Sequence, residues 1–168
     1  MIELEKTFLA RYLPKGFEES PSREIVDMYY PKECEHPRLR LRKSGDIYEM
    51  TKKEPMEGTD SSRQLEQTIK LLKEEYEAVS KLPGKLSDKI RYYYPYKDHT
   101  AEITVFRGEL AGLILIDFEF QSVEEMNVFE MPDFCLADVT QENFVAGGML
   151  AGRQYKDLKD DLARFHAH

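Results

Sequence analysis

Residues 112–121 read GLILIDFEFQ, and this stretch decides the fold class. Side chains of a β-strand alternate between two faces. The even positions from 114 to 120 are all isoleucine or phenylalanine, whereas the odd positions run from two leucines to Asp117 and Glu119. Two neighbouring carboxylates on one face of a strongly apolar strand are unusual, since like charges in a row repel. The stretch predicts a strand with one apolar face and a second face that carries two adjacent carboxylates.

The same two-residue period continues through most of the chain. Residues 38–43, RLRLRK, place Arg38, Arg40 and Arg42 on one face with two leucines behind them. A Ser-Gly-Asp turn then joins this strand to its hairpin partner, IYEMTKK at 47–53. Further strands are predicted at 3–9, 63–70, 89–95 and 101–107. The chain is therefore expected to be rich in β-structure.

Helical signals are fewer. Residues 70–82 carry leucine, tyrosine and valine at helical spacing, and the Pro-Gly pair that follows ends them. Ser122 followed by Glu125 is a capping-box pattern that opens a short helix. We expect one helix from about residue 141 and another that ends near Arg164. With no repeat, low-complexity tract or linker, the 168 residues are expected to form one α+β domain.

Composition excludes several classes of protein. The 24 basic and 32 acidic residues give a net charge of −8, which disfavours binding to nucleic acid. No apolar run approaches the roughly 20 residues that span a bilayer, and the N-terminus lacks a signal-peptide core. Cys34 and Cys135 are too few for a disulfide scaffold or a thiolate zinc site. We expect a cytoplasmic protein with no nucleic-acid or membrane partner.

The charged faces of the predicted strands admit two interpretations. Either each face is simply solvated, or the strands close into a barrel with a polar interior. Basic side chains facing a carboxylate cluster inside a barrel are unfavourable without a ligand. A polyphosphate with a divalent cation resolves both charges, because guanidinium groups match phosphate oxygens and hard cations take carboxylate and phosphate oxygens. The charges alone do not decide between these interpretations.

Seven stretches of the chain resemble, in order, the motifs of the CYTH proteins, also called triphosphate tunnel metalloenzymes. These stretches are ELEKT at 3–7, RLRLR at 38–42, MTKK at 50–53, RQLE at 63–66, KIRY at 89–92, the run from Glu102 through FRGELAGL to DFEF at 117–120, and DVT at 138–140. Together they span roughly residues 2–151. The resemblance implies a closed antiparallel β-barrel tunnel of about eight strands, with helices packed outside.

The resemblance also implies roles for individual side chains. The expected triphosphate ligands are Arg38, Arg40, Lys53, Lys89 and Arg91, with Arg42 as the outermost candidate and equally a solvent-facing residue. The expected ligands of one or two Mg²⁺ or Mn²⁺ ions are Glu3, Glu5, Asp117 and Glu119, with Glu66, Glu102 and Asp138 as secondary candidates. Lys89, Arg91 and Glu5 are the candidate catalytic residues.

Three positions depart from the family pattern. Thr7 stands where the N-terminal signature has lysine, and the neighbouring Lys6 has the wrong parity to replace it. Thr104 stands where the family has an aspartate. The second acidic position of the segment that begins at 63–66 is occupied by Gln67 or Thr68, neither of which is acidic. Each departure removes a charge from the expected tunnel, so rate, substrate choice and metal affinity all depend on these sites.

The function implied is metal-dependent hydrolysis of inorganic triphosphate or an organic triphosphate, with release of orthophosphate. One alternative is the chemistry of class IV adenylate cyclases, in which a ribose 3′-hydroxyl attacks the α-phosphorus. Another is a module that binds polyphosphate or nucleotide with little turnover. In each case the partner is a small triphosphate, and the chain is expected to be a monomer or a homodimer.

Overall fold

The computed structural model describes residues 1–58 and 60–166 of the chain. Its strands in this part of the chain are β1 (Ile2–Ala10), β2 (Ser22–Tyr30), β3 (Leu39–Ser44), β4 (Ile47–Pro55), β5 (Arg63–Leu71), β6 (Lys85–Tyr96), β7 (His99–Arg107), β8 (Ile114–Phe120) and β9 (Cys135–Asp138). The α-helices are α1 (Lys73–Ser80), α2 (Val123–Val128), α3 (Gly147–Leu150) and α4 (Lys159–His166). Short 3-10 helices lie at Phe17–Glu19, Gly108–Leu110, Asn143–Val145 and Tyr155–Leu158.

Eight of the strands close into an antiparallel barrel. Their order is β5-β4-β3-β2-β6-β7-β8-β1, and β1 pairs again with β5, where Glu3 lies opposite Gln64. The ninth strand, β9, pairs with the end of β1, where Phe8 lies opposite Asp138. The predicted closed barrel of about eight strands is confirmed, and of the helices expected outside it, α3 instead lies at one end, where Gly147 and Gly148 line the cavity. Closure turns one face of every strand inward, which gives the charged faces a common interior.

The apolar core on the outside of the barrel covers β1, β6, β7 and β8. Ile116 and Phe118 of β8 have no exposed surface and pack in one cluster with Phe17, Met126 and Phe134. These are the even positions that the alternation assigned to the apolar face of β8. Because they face away from the lumen, the odd positions of the same strand face into it.

One end of the barrel is filled by the C-terminal segment. Leu9, Phe106 and Leu115 face inward there and form a buried cluster with Leu150 and Leu158. Removing these apolar side chains from water stabilises the folded state at this end of the barrel. Inward-facing side chains toward the other end are polar, so the lumen is divided along its length.

Two of the helix predictions differ from the structure in their bounds. Helix α1 begins at Lys73 rather than 70, because β5 stays paired with β4 as far as Leu71. The predicted helix from about 141 is a 3-10 turn followed by the four-residue α3. The cap at Ser122 is confirmed, since its hydroxyl accepts a hydrogen bond from the Glu125 amide at 3.1 Å.

Strands β2 and β9 were not predicted. β2 reads SREIVDMYY, in which polar side chains occupy both faces near its start and obscure the alternation. β9 has only four residues, which is too short for a periodic signal. No helix in the described part of the chain is long and apolar enough to cross a membrane.

Candidate active site

The barrel encloses a cavity of about 370 Å³ to which all eight strands contribute polar side chains. Glu3, Glu5 and Thr7 of β1 line it, whereas Lys6 lines a different cavity on the outside of the barrel. The predicted inward and outward faces of β1 are therefore confirmed. The solvated-face interpretation does not hold for these strands.

The basic side chains form one wall of this cavity. All six predicted triphosphate ligands line it: Arg38, Arg40, Arg42, Lys53, Lys89 and Arg91. The Nη2 of Arg40 donates to Thr51 Oγ1 at 3.3 Å, but its Nε is buried with no hydrogen-bond partner among the described residues. A buried donor of this kind is rare in a folded protein unless a ligand or water satisfies it.

Arg42 and Lys89 share a buried carboxylate on β2. Arg42 donates from Nε to Asp27 Oδ1 at 2.7 Å and from Nη2 to Oδ2 at 2.8 Å, and Lys89 Nζ lies 2.7 Å from Oδ2. Arg42 is only 11% exposed, so the alternative that it faces solvent is wrong. Pairing with Asp27 explains its burial, because a buried charge needs a partner.

The pKa values of this group follow from burial and from mutual attraction. Burial raises the pKa of Asp27, but the charges of Lys89 and Arg42 outweigh it and hold this pKa well below its ordinary value. Burial lowers the pKa of Lys89 to about 8, with Asp27 opposing and the charges of Arg42 and Arg91 adding to the effect. The carboxylate is therefore firmly ionised, while the lysine loses its proton more readily than usual.

The acidic side chains form a second wall. Carboxylate oxygens of Glu3, Glu5 and Glu119 lie within 4.8 Å of one another. Lys53 forms an ion pair with Glu3, and its Nζ lies 3.8 Å from Glu5 Oε1. The wall thus gathers several carboxylates around one lysine.

Most of these acids hold protons more tightly than usual. Burial raises the pKa of Glu5 well above its ordinary value; the carboxylates of Asp117 and Glu3 add to this, and Lys53 opposes it. Burial also raises the pKa of Asp117 and Glu119, and that of Glu102 to about 7. The pKa of Glu3 lies below its ordinary value, because Lys53 outweighs the effect of burial.

This donor set fits a hard divalent cation. Carboxylate oxygens are the ligands that Mg²⁺ and Mn²⁺ prefer. Glu3 and Glu5 come from β1 and Glu119 from the neighbouring β8, so paired strands hold the three groups close together. The raised pKa values of Glu5 and Glu119 show crowded, buried negative charge, which a bound cation would neutralise.

The three secondary acids have different surroundings. Glu66 lines the cavity and shares a hydrogen bond with Glu3. Burial and this hydrogen bond both raise the pKa of Glu66. Glu102 pairs with Arg91 at 3.3 Å on the adjacent strand. Asp138 lies outside, lining the same outer cavity as Lys6, and accepts a hydrogen bond from the Thr140 amide at 2.9 Å. The structure does not bring Asp138 into the acidic wall.

The two threonines at the departing positions each hold a charged side chain. Thr7 donates to Asp117 Oδ1 at 2.5 Å, and Thr104 accepts from Arg91 Nε at 3.0 Å. Neither position carries a charge of its own. These two positions take one base and one acid from the cavity that the family pattern implies, and the charged groups that they contact, Asp117 and Arg91, are held by the threonine hydroxyls.

Sequence reasoning missed several residues of the site. Asp27 was missed because β2 was not predicted, and the sequence signal for it was a single acid at an inward position between Ile25 and Tyr29.

The contribution of the C-terminal segment to the cavity wall was missed because tertiary packing, and not sequence periodicity, brings this segment to the cavity. A Cβ on Gly147 would overlap the Tyr29 hydroxyl, and one on Gly148 would overlap the backbone of the β2–β3 loop. Only glycine allows this approach to the cavity wall.

Comparison with known proteins agrees with this architecture. No family model matches the chain. It is 30% identical over 144 residues to an inorganic triphosphatase of Nitrosomonas europaea, an alignment that covers 84% of this chain and 91% of the relative. The crystal structure of an inorganic triphosphatase superposes with a TM-score of 0.65 at 26% identity, over 89% of this chain and 94% of that one.

A more distant structure has the same fold. A candidate adenylyl cyclase from Hippeastrum, described as having a dominant triphosphatase activity, matches with a TM-score of 0.52 over 75% of this chain and 82% of that one. At 10% identity this match supports the fold alone. The Nitrosomonas relative shares enough sequence, over most of both chains, to show family membership as well as fold. This chain belongs to the CYTH family of triphosphate tunnel proteins.

Proposed function

We propose that the protein is a metal-dependent hydrolase of inorganic triphosphate or an organic triphosphate, which releases orthophosphate. The observation that carries the proposal is the pair of opposed walls in one cavity: an acidic wall, and a basic wall on which the buried Nε of Arg40 has no hydrogen-bond partner in the part of the chain that the structure describes. The inorganic triphosphatases named above, whose alignments cover most of this chain, support the same activity.

In this proposal the basic wall binds the substrate. Arg38 and Arg40 donate charge-assisted hydrogen bonds to phosphate oxygens. Lys53 lies between the two walls, since it pairs with Glu3 and lines the cavity. Arg42 contributes the donors that Asp27 leaves free. A positive surface inside a protein of net charge −8 concentrates an anionic substrate in the lumen.

The acidic wall holds Mg²⁺ or Mn²⁺ in this proposal, through Glu3, Glu5, Asp117 and Glu119. When bound, a divalent cation neutralises phosphate charge and lowers the pKa of a coordinated water. Glu66 and Glu102 adjoin this group as secondary candidates. Asp138 is not included, because it lies at the outer cavity.

Catalysis depends on the side chains that meet the reacting phosphate. Lys89 and Arg91 stabilise the charge that develops on the phosphoryl oxygens during in-line displacement. Glu5 is the candidate for accepting a proton from the attacking water, because its carboxylate lines the cavity beside the other acids of the proposed metal site. The oxygen of the attacking water bonds to the terminal phosphorus while the bond from this phosphorus to its bridging oxygen breaks. The attacked phosphoryl group becomes orthophosphate, and pyrophosphate (from inorganic triphosphate) or an organic diphosphate is the leaving group.

We further propose that the substrate is the only partner required, without nucleic acid or membrane. The chain would act in the cytoplasm as a monomer or a homodimer. These statements rest on composition and on the enclosed, small-molecule size of the cavity.

Product analysis tests this function. Purified protein is incubated with inorganic tripolyphosphate or with ATP, each with Mg²⁺ and with Mn²⁺, and the products are separated by ion-exchange chromatography. We expect pyrophosphate and orthophosphate from tripolyphosphate. Pyrophosphate and a cyclic nucleotide from ATP would replace the hydrolase with a cyclase. Raised melting temperature without any product would indicate a binding module.

A further inference from the structure

Asp27 touches two basic residues of the cavity but cannot itself touch the substrate. It has no exposed surface, and both of its oxygens are occupied by Arg42 and Lys89 at 2.7–2.8 Å. Three strands meet at this carboxylate, since Asp27 lies on β2, Arg42 on β3 and Lys89 on β6. A role in the reaction must therefore act through its two partners.

Resting on the function proposed above, we propose that Asp27 is a positioning residue that fixes Arg42 and Lys89 against the phosphate-binding wall. The bidentate bond consumes Arg42 Nε and one proton of Nη2, which orients the remaining donors. The bond from Lys89 leaves two ammonium protons for a ligand. Without this carboxylate, both side chains would lose their shared anchor.

Asp27 also keeps the Lys89 amine charged. The groups facing this amine are Asp27 from β2, Arg42 from β3, Arg91 on β6 itself and the Phe106 ring from β7, whose centre lies 5.4 Å from Nζ. Asp27 is the only carboxylate among these four. Glu49 from β4 places a further negative charge near Arg42.

Two substitutions should move the protonation of Lys89 in opposite directions. Asp27→Asn removes the negative charge and leaves two neighbouring cations, so the amine should lose its proton at lower pH. Arg42→Met removes a positive charge and leaves the bond between Asp27 and Lys89, so the amine should hold its proton to higher pH. A purely structural role for Asp27 predicts no such opposition.

The experiment records kcat and KM separately for tripolyphosphate with Mg²⁺ between pH 6 and 10, and follows the Lys89 amine directly by NMR of the ¹⁵Nζ-labelled lysines. We expect Asp27→Asn to raise KM about fivefold near pH 8, because a Lys89 pKa lowered by one unit from about 8 reduces the charged fraction of the amine from about one half to about one tenth, and to move the alkaline limb to lower pH. Asp27→Glu, which keeps the charge, should restore part of the affinity. Asp88→Asn is the matched control, because Asp88 is partly exposed and pairs with Arg107 outside the barrel.

Two results would overturn the inference. One is a pH profile of KM for Asp27→Asn that coincides with the profile for Asp88→Asn. The other is an Arg42→Met variant in which the titration midpoint of the Lys89 ¹⁵Nζ resonance does not move to higher pH. If Asp27→Asn does not fold, Asp27→Glu decides: a KM and an alkaline limb equal to those of the wild type would overturn the inference, because the longer side chain displaces the carboxylate from Arg42 and Lys89. If the wild type hydrolyses no triphosphate, the proposed function fails, and the NMR titration still tests the coupling of Asp27 to Lys89.

Discussion

The two walls of the tunnel treat their charges differently. On the basic wall, Asp27 lies between Arg42 and Lys89, so two cations share an internal counter-ion. On the acidic wall, Lys53 is the shared ion-pair partner of Glu3 and Glu5, and the carboxylates beside them have raised pKa values. The fold balances part of the charge on the basic wall, which stays positive, and the other wall is left with excess negative charge.

This difference indicates what each wall requires from a ligand. A carboxylate cluster with raised pKa values must either keep protons or bind a cation. The basic wall keeps net positive charge and needs acceptors for donors such as Arg40 Nε, which has no hydrogen-bond partner among the described residues. A metal triphosphate supplies both, because its cation meets the acids and its phosphates meet the arginines.

The largest expected effect is from Arg40→Ala. We expect kcat/KM for tripolyphosphate to fall about 100-fold, the loss typical of one donor to transition-state charge. Lys43→Ala is the matched control, because Lys43 is an exposed cation on the same strand with opposite parity. An equal loss in both variants would mean that net charge, and not the position of Arg40, supports activity.

Next in size is the effect of Glu5→Gln on stability. Removing one crowded carboxylate should raise the free energy of unfolding of the metal-free protein by about 1 kcal/mol, because functional sites store unfavourable charge. The rise in melting temperature that Mn²⁺ gives the wild type should disappear. Glu124→Gln, at an exposed position on α2, serves as control. A destabilised variant that still responds to Mn²⁺ would contradict this account of the acidic wall.

A smaller effect should appear as alkaline inhibition. The pKa of Lys89 is about 8 in the folded protein, below its ordinary value. Triphosphate affinity should therefore fall above pH 8, by less than tenfold per pH unit, since one charge among several is lost. Stability should move the other way: between pH 8 and the ordinary lysine pKa the unfolded chain binds more protons, so this group's contribution to the free energy of unfolding rises with pH. Calorimetric binding and chemical denaturation at several pH values measure the two trends.

The smallest effect expected is that of Thr7→Val. This substitution removes the hydrogen bond to Asp117, which helps to lower the pKa of that carboxyl. A bond of about 1 kcal/mol corresponds to roughly a fivefold weaker Mn²⁺ affinity near pH 6. The loss should shrink at higher pH, where Asp117 is ionised in both proteins. A loss independent of pH would assign Thr7 to packing instead.

The sequence predicted the walls where strand alternation was clear. Parity placed Glu3 and Glu5 on one face of β1 and Asp117 on the face of β8 opposite its isoleucines and phenylalanines. The family resemblance implied that these faces line a tunnel, and the cavity contains all three side chains. Arg40 was placed in the same way. These assignments succeed because side chains of a strand alternate between two faces, so a few residues are enough to tell which side chains share a face.

The rest of the site depends on contacts between distant segments. Asp27 could not be paired with Arg42 and Lys89 before β2 was known to lie between β3 and β6. Asp138 matched a motif, yet its strand β9 only borders the barrel and leaves the side chain outside. Strand order and packing, which local sequence does not encode, decide such cases.

The most direct test of a tunnel with two cooperating walls is orthophosphate release from inorganic tripolyphosphate as Mg²⁺ or Mn²⁺ is titrated, with EDTA added at the end. Wild type and Glu119→Gln are compared at the same pH. We expect no release without metal, saturable release with it, full reversal by EDTA, and a variant that needs more metal and turns over more slowly. Release that persists in EDTA, or a Glu119→Gln titration identical to that of the wild type, would contradict the account.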